Sequence, residues 1–390
     1  MAEWQTLRLG EIVKTNQSTY SPKENWQFVN YLDTGNITMN KIDEIQNINT
    51  DKDKLPSRAR RKVKTNSIIY STVRPNQLHY GIIKKQPDNF LVSTGFTVID
   101  VNYDKAVPDF IYYALTKQEV TEQLQAIAEQ SVSAYPSLKP SDIENLELML
   151  PDKKTQERIV AILRSIDEKI KENNAINNNL LQQLHILYSR LFCNSAMDTP
   201  LGEVVATTSG GTPSRKHDEY YSDSSICWVK SKELLGNYIH ETEEHINDLA
   251  IKKSSAKLLP KHSVLIAMYG ATVGACGVIS KPMTCNQAVC ALLCNENYPY
   301  TYLFQIAYES QQKFINLAVG SAQQNISQVL IKQLNLHSDL NIIQKFHGLA
   351  LPMHQEIESL QAENMHLAAL RDNLLPKLMS GELDVSNIDL

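Results

Sequence analysis

From Ile159 onward a run of residues falls at alternating steps of four and three: Ile159, Leu163, Ile166, Ile170, Asn173, Asn177, Leu180, Leu184, Leu187 and Leu191. That spacing keeps one stripe against one partner along a supercoiled helix. Pro151 stops the preceding strand and Asp152 is the candidate N-cap, so the helix is expected over 151–193. At 1.5 Å per residue it is about 60 Å long. The register returns near the C-terminus at Ile343, Phe346, Ala350, Met353, Ile357, Leu360, Asn364, Leu367, Arg371, Leu374 and Leu378. A constant offset superposes the two stripes and places Asn177 on Asn364. Two like helices separated by a large globular segment predict an antiparallel intramolecular coiled coil. Pro352 is expected to interrupt and kink the second helix.

The segments outside the helices repeat each other as well. Leu9-Gly10-Glu11-Ile12-Val13 returns as Leu201-Gly202-Glu203-Val204-Val205, and Ser67-Ile68-Ile69-Tyr70-Ser71 as Ser263-Val264-Leu265-Ile266-Ala267. A β-rich run and a strand follow in each copy. A helix is expected over Asp109–Ala126 and its counterpart over Tyr302–Leu317. Ser131–Ser137 matches Ser321–Ser327, and Ile143–Leu150 matches Ile331–His337. The expected fold class is α/β (α+β): two similar globular domains joined by two long antiparallel helices, with pseudo-two-fold symmetry. The expected segments are 1–150, 151–193, 194–339, 340–380 and a tail at 381–390. A chain of 390 residues suits at least two cores.

Several chemistries are excluded by what is missing. Gly270-Ala271-Thr272-Val273-Gly274 lacks the lysine of a phosphate-binding loop, and no dinucleotide, nucleophile-elbow or base-flipping motif occurs. His240-Glu241-Thr242-Glu243-Glu244-His245 has one residue too many for a zinc-protease helix. Pro151-Asp152 followed by Asp167-Glu168-Lys169 imitates a metal-dependent nuclease, but the second set lies about four turns into a helix. His185, His262, His347, His354 and His366 form no metal-binding set. The cysteines, Cys193, Cys227, Cys276, Cys285, Cys290 and Cys294, form no Cys-x-x-Cys pair, so no metal is expected and the thiols should be reduced. No apolar run spans a bilayer and no signal peptide is visible, which predicts a cytoplasmic protein.

The net charge of -5 excludes a generic polycation, so any nucleic-acid contact must use local groups. Copy one holds Arg58, Arg60, Arg61, Lys62 and Lys64 in a polar segment before a strand, then Arg74, Asn76 and Gln77 in a loop. Copy two offers Thr212, Ser214, Arg215 and Lys216, then Lys230 and Lys232, Tyr269, Asn286 and Gln287, and Gln323, Gln324 and Asn325. Arginine pairs with guanine, and asparagine or glutamine with adenine. Gly210 and Gly211 are expected to let backbone approach a phosphate. A plain turn is the competing role for Asn286 and Gln287. Two such readers on a rigid coiled coil suit a split DNA sequence with an unread spacer. The seam asparagines, Asn173, Asn177 and Asn364, would fix its register.

Three groups of residues carry a resemblance. They are Leu370-Arg371-Asp372-Asn373-Leu374-Leu375-Pro376-Lys377-Leu378-Met379-Ser380-Gly381-Glu382-Leu383, Gly210-Gly211-Thr212-Pro213-Ser214 with Trp228-Val229-Lys230, and Tyr31-Leu32-Asp33-Thr34 with Ser71-Thr72-Val73-Arg74-Pro75-Asn76 and Ser93-Thr94-Gly95-Phe96. In these the chain resembles the specificity subunit of type I restriction–modification systems over essentially its whole length. The resemblance implies a non-catalytic subunit with two target-recognition domains, each reading one half of a bipartite double-stranded DNA site. It implies partners: two adenine-methyltransferase subunits docked on the helices, and motor-nuclease restriction subunits. S-adenosylmethionine, ATP and Mg²⁺ then belong to those partners and no cofactor to this chain. Two other classes compete. A standalone nuclease or methyltransferase needs a catalytic constellation. A coiled-coil scaffold without DNA contact leaves the duplicated polar loops without a purpose. An adenine methyltransferase in the neighbouring reading frame discriminates for the first reading.

Overall fold

The computed structural model describes residues 4–131, 136–318, 325–386 and 388. They form two compact units, 1–168 with 367–390, and 169–366. Each long helix is therefore divided between the two units. No helix among the described residues is long and apolar enough to cross a membrane.

In the first unit, β1 (Gln5–Arg8) pairs antiparallel with β10 (Glu147–Leu150) just before the first long helix. Between them lie β2 (Val13–Thr15), β3 (Phe28–Leu32), β4 (Gln46–Asn49), β5 (Ala59–Lys62), β6 (Ile68–Ser71), β7 (Tyr80–Ile82), β8 (Phe90–Ser93) and β9 (Phe96–Val101). One sheet has the order β2-β9-β6-β7 and is antiparallel. The other has the order β4-β3-β8-β5, and in it β3 and β8 run parallel. The basic run expected before a strand is itself a strand, because Ala59 buries against the sheet while Arg60 to Lys62 stay half-exposed. The helix expected over Asp109–Ala126 is two, α1 (Pro108–Leu115) and α2 (Gln118–Glu129). The Thr116 hydroxyl donates back to the Tyr113 carbonyl, which ends the first.

The second unit repeats this plan with β11 (Met197–Pro200), β12 (Ala206–Ser209), β13 (Ile226–Val229), β14 (Asn237–Ile239), β15 (His245–Ile246), β16 (Val264–Ala267), β17 (Cys276–Ile279), β18 (Thr284–Cys285), β19 (Val289–Leu293) and β20 (Asn335–His337). β11 pairs with β20 as β1 does with β10. The order β12-β19-β16-β17 repeats β2-β9-β6-β7, with β14 added at the edge. The order β15-β13-β18 repeats β4-β3-β8, down to the parallel pair, here β13 with β18. The helix expected over Tyr302–Leu317 is again two, α3 (Tyr300–Glu309) and α4 (Gln311–Leu317), broken at Ser310. Duplication thus reaches even the helix break that sequence reading missed.

The central helix runs from Lys153 to Phe192 and the C-terminal helix from Leu340 to Met379. Asp152 caps the first, accepting from the Thr155 amide at 3.0 Å and its hydroxyl at 2.7 Å. Asp339 caps the second, accepting from the Asn341 and Ile342 amides. Pro352 does not interrupt the second helix; it is exposed, and the carbonyl its missing N–H would have reached belongs to Gly348. In the first unit Ile159 and Leu163 share a core with Leu374, Leu375 and Leu378, and with Ile68, Tyr70, Phe110 and Leu148 of the sheet and helices. Asp167 meets Arg371 at 2.9 Å, so the charged seam position is paired, and Tyr113 donates to the same carboxylate. In the second unit Asn173 meets Asn364 at 2.9 Å, while Phe192 meets Phe346 with ring centroids 5.9 Å apart. The two helices therefore run antiparallel, side by side. Ile166, Asn177, Leu184, Ile357 and Leu360 are buried; Ile170, Leu180, Met353, Asn364, Leu367 and Leu374 are half-buried. Each fully buried leucine on the seam contributes about 1.5–3 kcal/mol.

Candidate nucleic-acid interface

The sheets containing the parallel pairs organise the polar side chains. In the first unit Trp26 precedes β3 and stacks obliquely on Tyr20, centroids 4.6 Å apart. Lys62 on β5 crosses the sheet and lies 5.1 Å above the Trp26 ring, ion-paired with Glu24. The Lys62 contact and a hydrogen bond from the Ser21 amide hold the Glu24 carboxyl below its usual range. Arg58 is exposed, and its carbonyl accepts from the Thr94 amide at 2.8 Å. Thr72 in turn donates its amide to the Gly95 carbonyl at 2.8 Å. The β8–β9 turn therefore joins the basic strand to the loop carrying Arg74, Asn76 and Gln77, all three exposed. Below this rim the Asp33 carboxyl is pushed up by burial, yet lies below its usual range. Hydrogen bonds from Thr34, Ser93 and Tyr31 and the charge of Arg58 outweigh the burial. Lys64 pairs with Asp100 at 3.4 Å, and Arg61 is half-buried with its Nε unpartnered among the described residues.

The second unit also uses a tryptophan, Trp228, but on β13 itself and buried, where strand register places Tyr31 in the first unit. Its indole N–H donates to the Gly211 carbonyl at 3.0 Å. Arg215 lies 4.3 Å over Tyr221 and 5.4 Å over Trp228, and Lys230 lies 5.7 Å from the same tryptophan ring. Glu244 accepts from both cations. Lys230 first, then Arg215, draw its carboxyl down against the upward push of burial. Cation over aromatic face with a carboxylate at its side thus recurs in both units: Lys62, Trp26 and Glu24 in one, and Arg215 with Lys230, Trp228 and Glu244 in the other. Such stacking holds a long side chain in one pose, while the carboxylate beside it neutralises its charge.

The other second-unit candidates fall into distinct groups. Thr212 and Gln287 bond to each other on the surface. Ser214 is exposed and caps the Lys216 amide at 3.4 Å; Lys232 is exposed and pairs with Glu243 at 2.5 Å. Tyr269 is 38 % exposed and bridges to Asn325. Asn286 does what a turn asparagine does: its side chain accepts from the Ala288 amide at 3.1 Å, and its own amide donates to the Val229 carbonyl. Gln323 and Gln324 lie outside the described residues. Gly210 and Gly211 do not face open space for a phosphate. A Cβ on Gly210 would strike the Cys285 and Asn286 carbonyls, and one on Gly211 would strike Ser255 and the Ala256 amide. These glycines exist to pack one backbone on another. Sequence reading missed the carboxylates Glu24 and Glu244; their signal was a glutamate two residues before Trp26 and another next to the His245 strand.

The patterns that imitate enzymes dissolve in the fold. His240 to His245 is no helix but the connection from β14 to β15. Asp152 caps a helix and Asp167 pairs with Arg371, so neither carboxylate is free to converge on a metal with the other.

What these two units define is a duplicated DNA-specificity fold. The sequence model described as "Type I restriction modification DNA specificity domain" matches residues 1–182 and 196–338, and the chain belongs to that family. It is 24% identical to the type I restriction enzyme HindI specificity subunit of Haemophilus influenzae, over 98% of this chain and 100% of that one. It is 25% identical to the MjaIX specificity subunit of Methanocaldococcus jannaschii, over 79% of this chain and 76% of the relative. The crystal structure of a type I restriction-modification system S subunit from M. genitalium has the same fold, with a TM-score of 0.60 at 15% identity, covering 97% of this chain and 96% of that one.

Proposed function

We propose that this chain is the sequence-reading subunit of a type I restriction–modification complex, and that each unit reads one half of a bipartite double-stranded DNA site. The observation that carries this reading is that each unit has an aromatic-backed cation, Lys62 over Trp26 and Arg215 with Lys230 over Trp228, at different positions on corresponding sheets of two units of that family. In each unit the cation has an acidic neighbour that DNA can replace. A phosphate or a guanine edge takes the place of the Glu24 or Glu244 carboxylate, and the exposed Arg58, Arg74, Asn76, Gln77, Ser214 and Gln287 supply further donors and acceptors at the rim. Exchange of one anion for another keeps non-specific affinity low and rewards a correctly placed partner.

In this reading the chain performs no bond-making chemistry. Two adenine-methyltransferase subunits dock on it and bring S-adenosylmethionine. Restriction subunits add ATP-driven translocation and Mg²⁺-dependent cleavage. The paired helices set the number of unread base pairs. The test is DNA binding by the complex assembled with its methyltransferase. Arg58→Ala with Arg60→Ala should weaken binding and flatten the plot of log affinity against log salt by about 0.9 for each phosphate no longer neutralised. An unchanged slope removes this strand from the interface.

A further inference from the structure

Among the described residues, Cys227, Glu241 and His245 bring a thiol sulfur, a carboxylate oxygen and an imidazole nitrogen within 4.8 Å of one another. We propose that these three side chains bind a divalent cation of the zinc class. The site is built by strand pairing rather than by a sequence motif. Cys227 on β13 and His245 on β15 are direct cross-strand partners, so their side chains share one face of the sheet. The β14–β15 connection then returns Glu241 between them. That connection is pinned: the Thr242 hydroxyl accepts from the Trp228 amide at 3.1 Å and donates to the Glu244 carbonyl at 2.7 Å.

The donor set selects the metal. Thiolate, imidazole and one carboxylate suit zinc, whereas magnesium and calcium take oxygen ligands. One thiolate and one carboxylate also balance a double positive charge, leaving a neutral cluster under the sheet. The distances fit. Glu241 Oε1 lies 2.9 Å from Cys227 Sγ and 2.6 Å from His245 Nε2. Tetrahedral zinc with ordinary bond lengths sets neighbouring donors about 3.4–3.6 Å apart. The two Glu241 pairs need open by about 1 Å or less, and Cys227 Sγ and His245 Nε2 already lie within 4.8 Å of each other. Binding releases the Cys227 thiol proton to solvent and requires His245 to present an unprotonated Nε2. Lys281, 3.1 Å from the other Glu241 oxygen, is 47% exposed and can turn away into water. A water molecule completes the four-coordinate shell.

The consequence for the neighbouring surface is direct. Glu244, which holds Arg215 and Lys230, adjoins His245 in the chain. A metal at this site would tie together the two strands and the connection from which that carboxylate projects.

The experiment uses the full chain. Co²⁺ is titrated into metal-free protein carrying Cys193→Ser, which removes the exposed thiol. The expected result is a thiolate-to-cobalt charge-transfer band and tetrahedral visible bands saturating at one equivalent, displaced by Zn²⁺. Cys227→Ser should abolish the charge-transfer band, and Cys227→Ser and His245→Gln should each weaken Zn²⁺ affinity at least ~100-fold. Zn²⁺ should also raise the thermal midpoint of the parent and not of either variant. His245→Gln keeps the test open where Cys227→Ser does not fold, because residue 245 is half-exposed. Absence of a charge-transfer band, or a band that survives Cys227→Ser, overturns the proposal.

Discussion

At the scale of single residues, weight falls on side chains that carry no obvious signal. Glu244 is the clearest. It holds Arg215 and Lys230 over Trp228, so it lowers local positive charge and fixes two long side chains at once. Glu244→Gln should increase affinity of the assembled complex for random DNA, steepen its salt dependence and reduce discrimination between matched and mismatched half-sites. Competition binding with random and matched duplexes measures this; equal discrimination in variant and parent contradicts it. His354 carries a second prediction. It is fully buried, its Nδ1 2.7 Å from the Tyr238 hydroxyl, and burial pushes its pKa from 6.5 down to about 3, with His347 and His262 adding to the fall. The unfolded chain binds this proton below about 6.5 and the folded chain only near 3. Stability from this group is therefore complete above pH 6.5 and declines as pH falls toward 3, by on the order of 4 kcal/mol over the whole window. His354→Gln should unfold with a shallower dependence on pH between those limits than the parent. Parallel curves would contradict the assignment. This layer was legible only in part. Arg215 and Lys230 stand out in the sequence because their type matches base and phosphate recognition. Glu244 does not, because its meaning comes from a fold that brings it back to β13 beside Trp228. Gly210 and Gly211 were legible as positions that exclude a side chain. What excludes it is the chain's own backbone, which no local pattern reveals.

At the scale of elements, the seam between the long helices shows what periodicity can and cannot say. The alternating steps located both helices and their facing stripes, because burial repeats with the helical turn. Hydrogen bonding across the seam is less regular. Asn173 donates to Glu363 at 2.8 Å and to Asn364 at 2.9 Å. Pseudo-symmetry exchanges Asn364 for Asn177 and Asn173 for Leu360. The second copy therefore has leucine where the first has a polar partner, and the buried Asn177 amide finds no hydrogen bond among the described residues. An unsatisfied buried amide costs about 1–3 kcal/mol. Asn177→Leu should raise stability by about that amount in chemical denaturation, with an unchanged m-value. A loss of stability would mean the amide is satisfied in solution. The broken helices, α1 with α2 and α3 with α4, escaped sequence reading for a different reason. Thr116 and Ser310 sit within apolar patterns that continue across them, and the break is made by tertiary fit as much as by the hydroxyls.

At the scale of the whole chain, duplication governs everything else. Corresponding sheet orders, the parallel strand pair inside a largely antiparallel setting and the split helices all occur twice. The repeat was visible in short matches such as those beginning at Leu9 and Leu201. Its depth was not, because strand order depends on pairings between residues far apart in sequence, and β5 in the first copy and β14 in the second have no counterpart among the described residues. A shared framework with divergent rims is what modular half-site reading requires. The decisive experiment exchanges residues 194–339 for the corresponding segment of another family member. Methylated adenines are then mapped across the genome of a host that supplies the methyltransferase. The expected motif is bipartite, with one half changed to that of the donor and the other half retained. A motif altered in both halves, or in neither, would contradict modular reading.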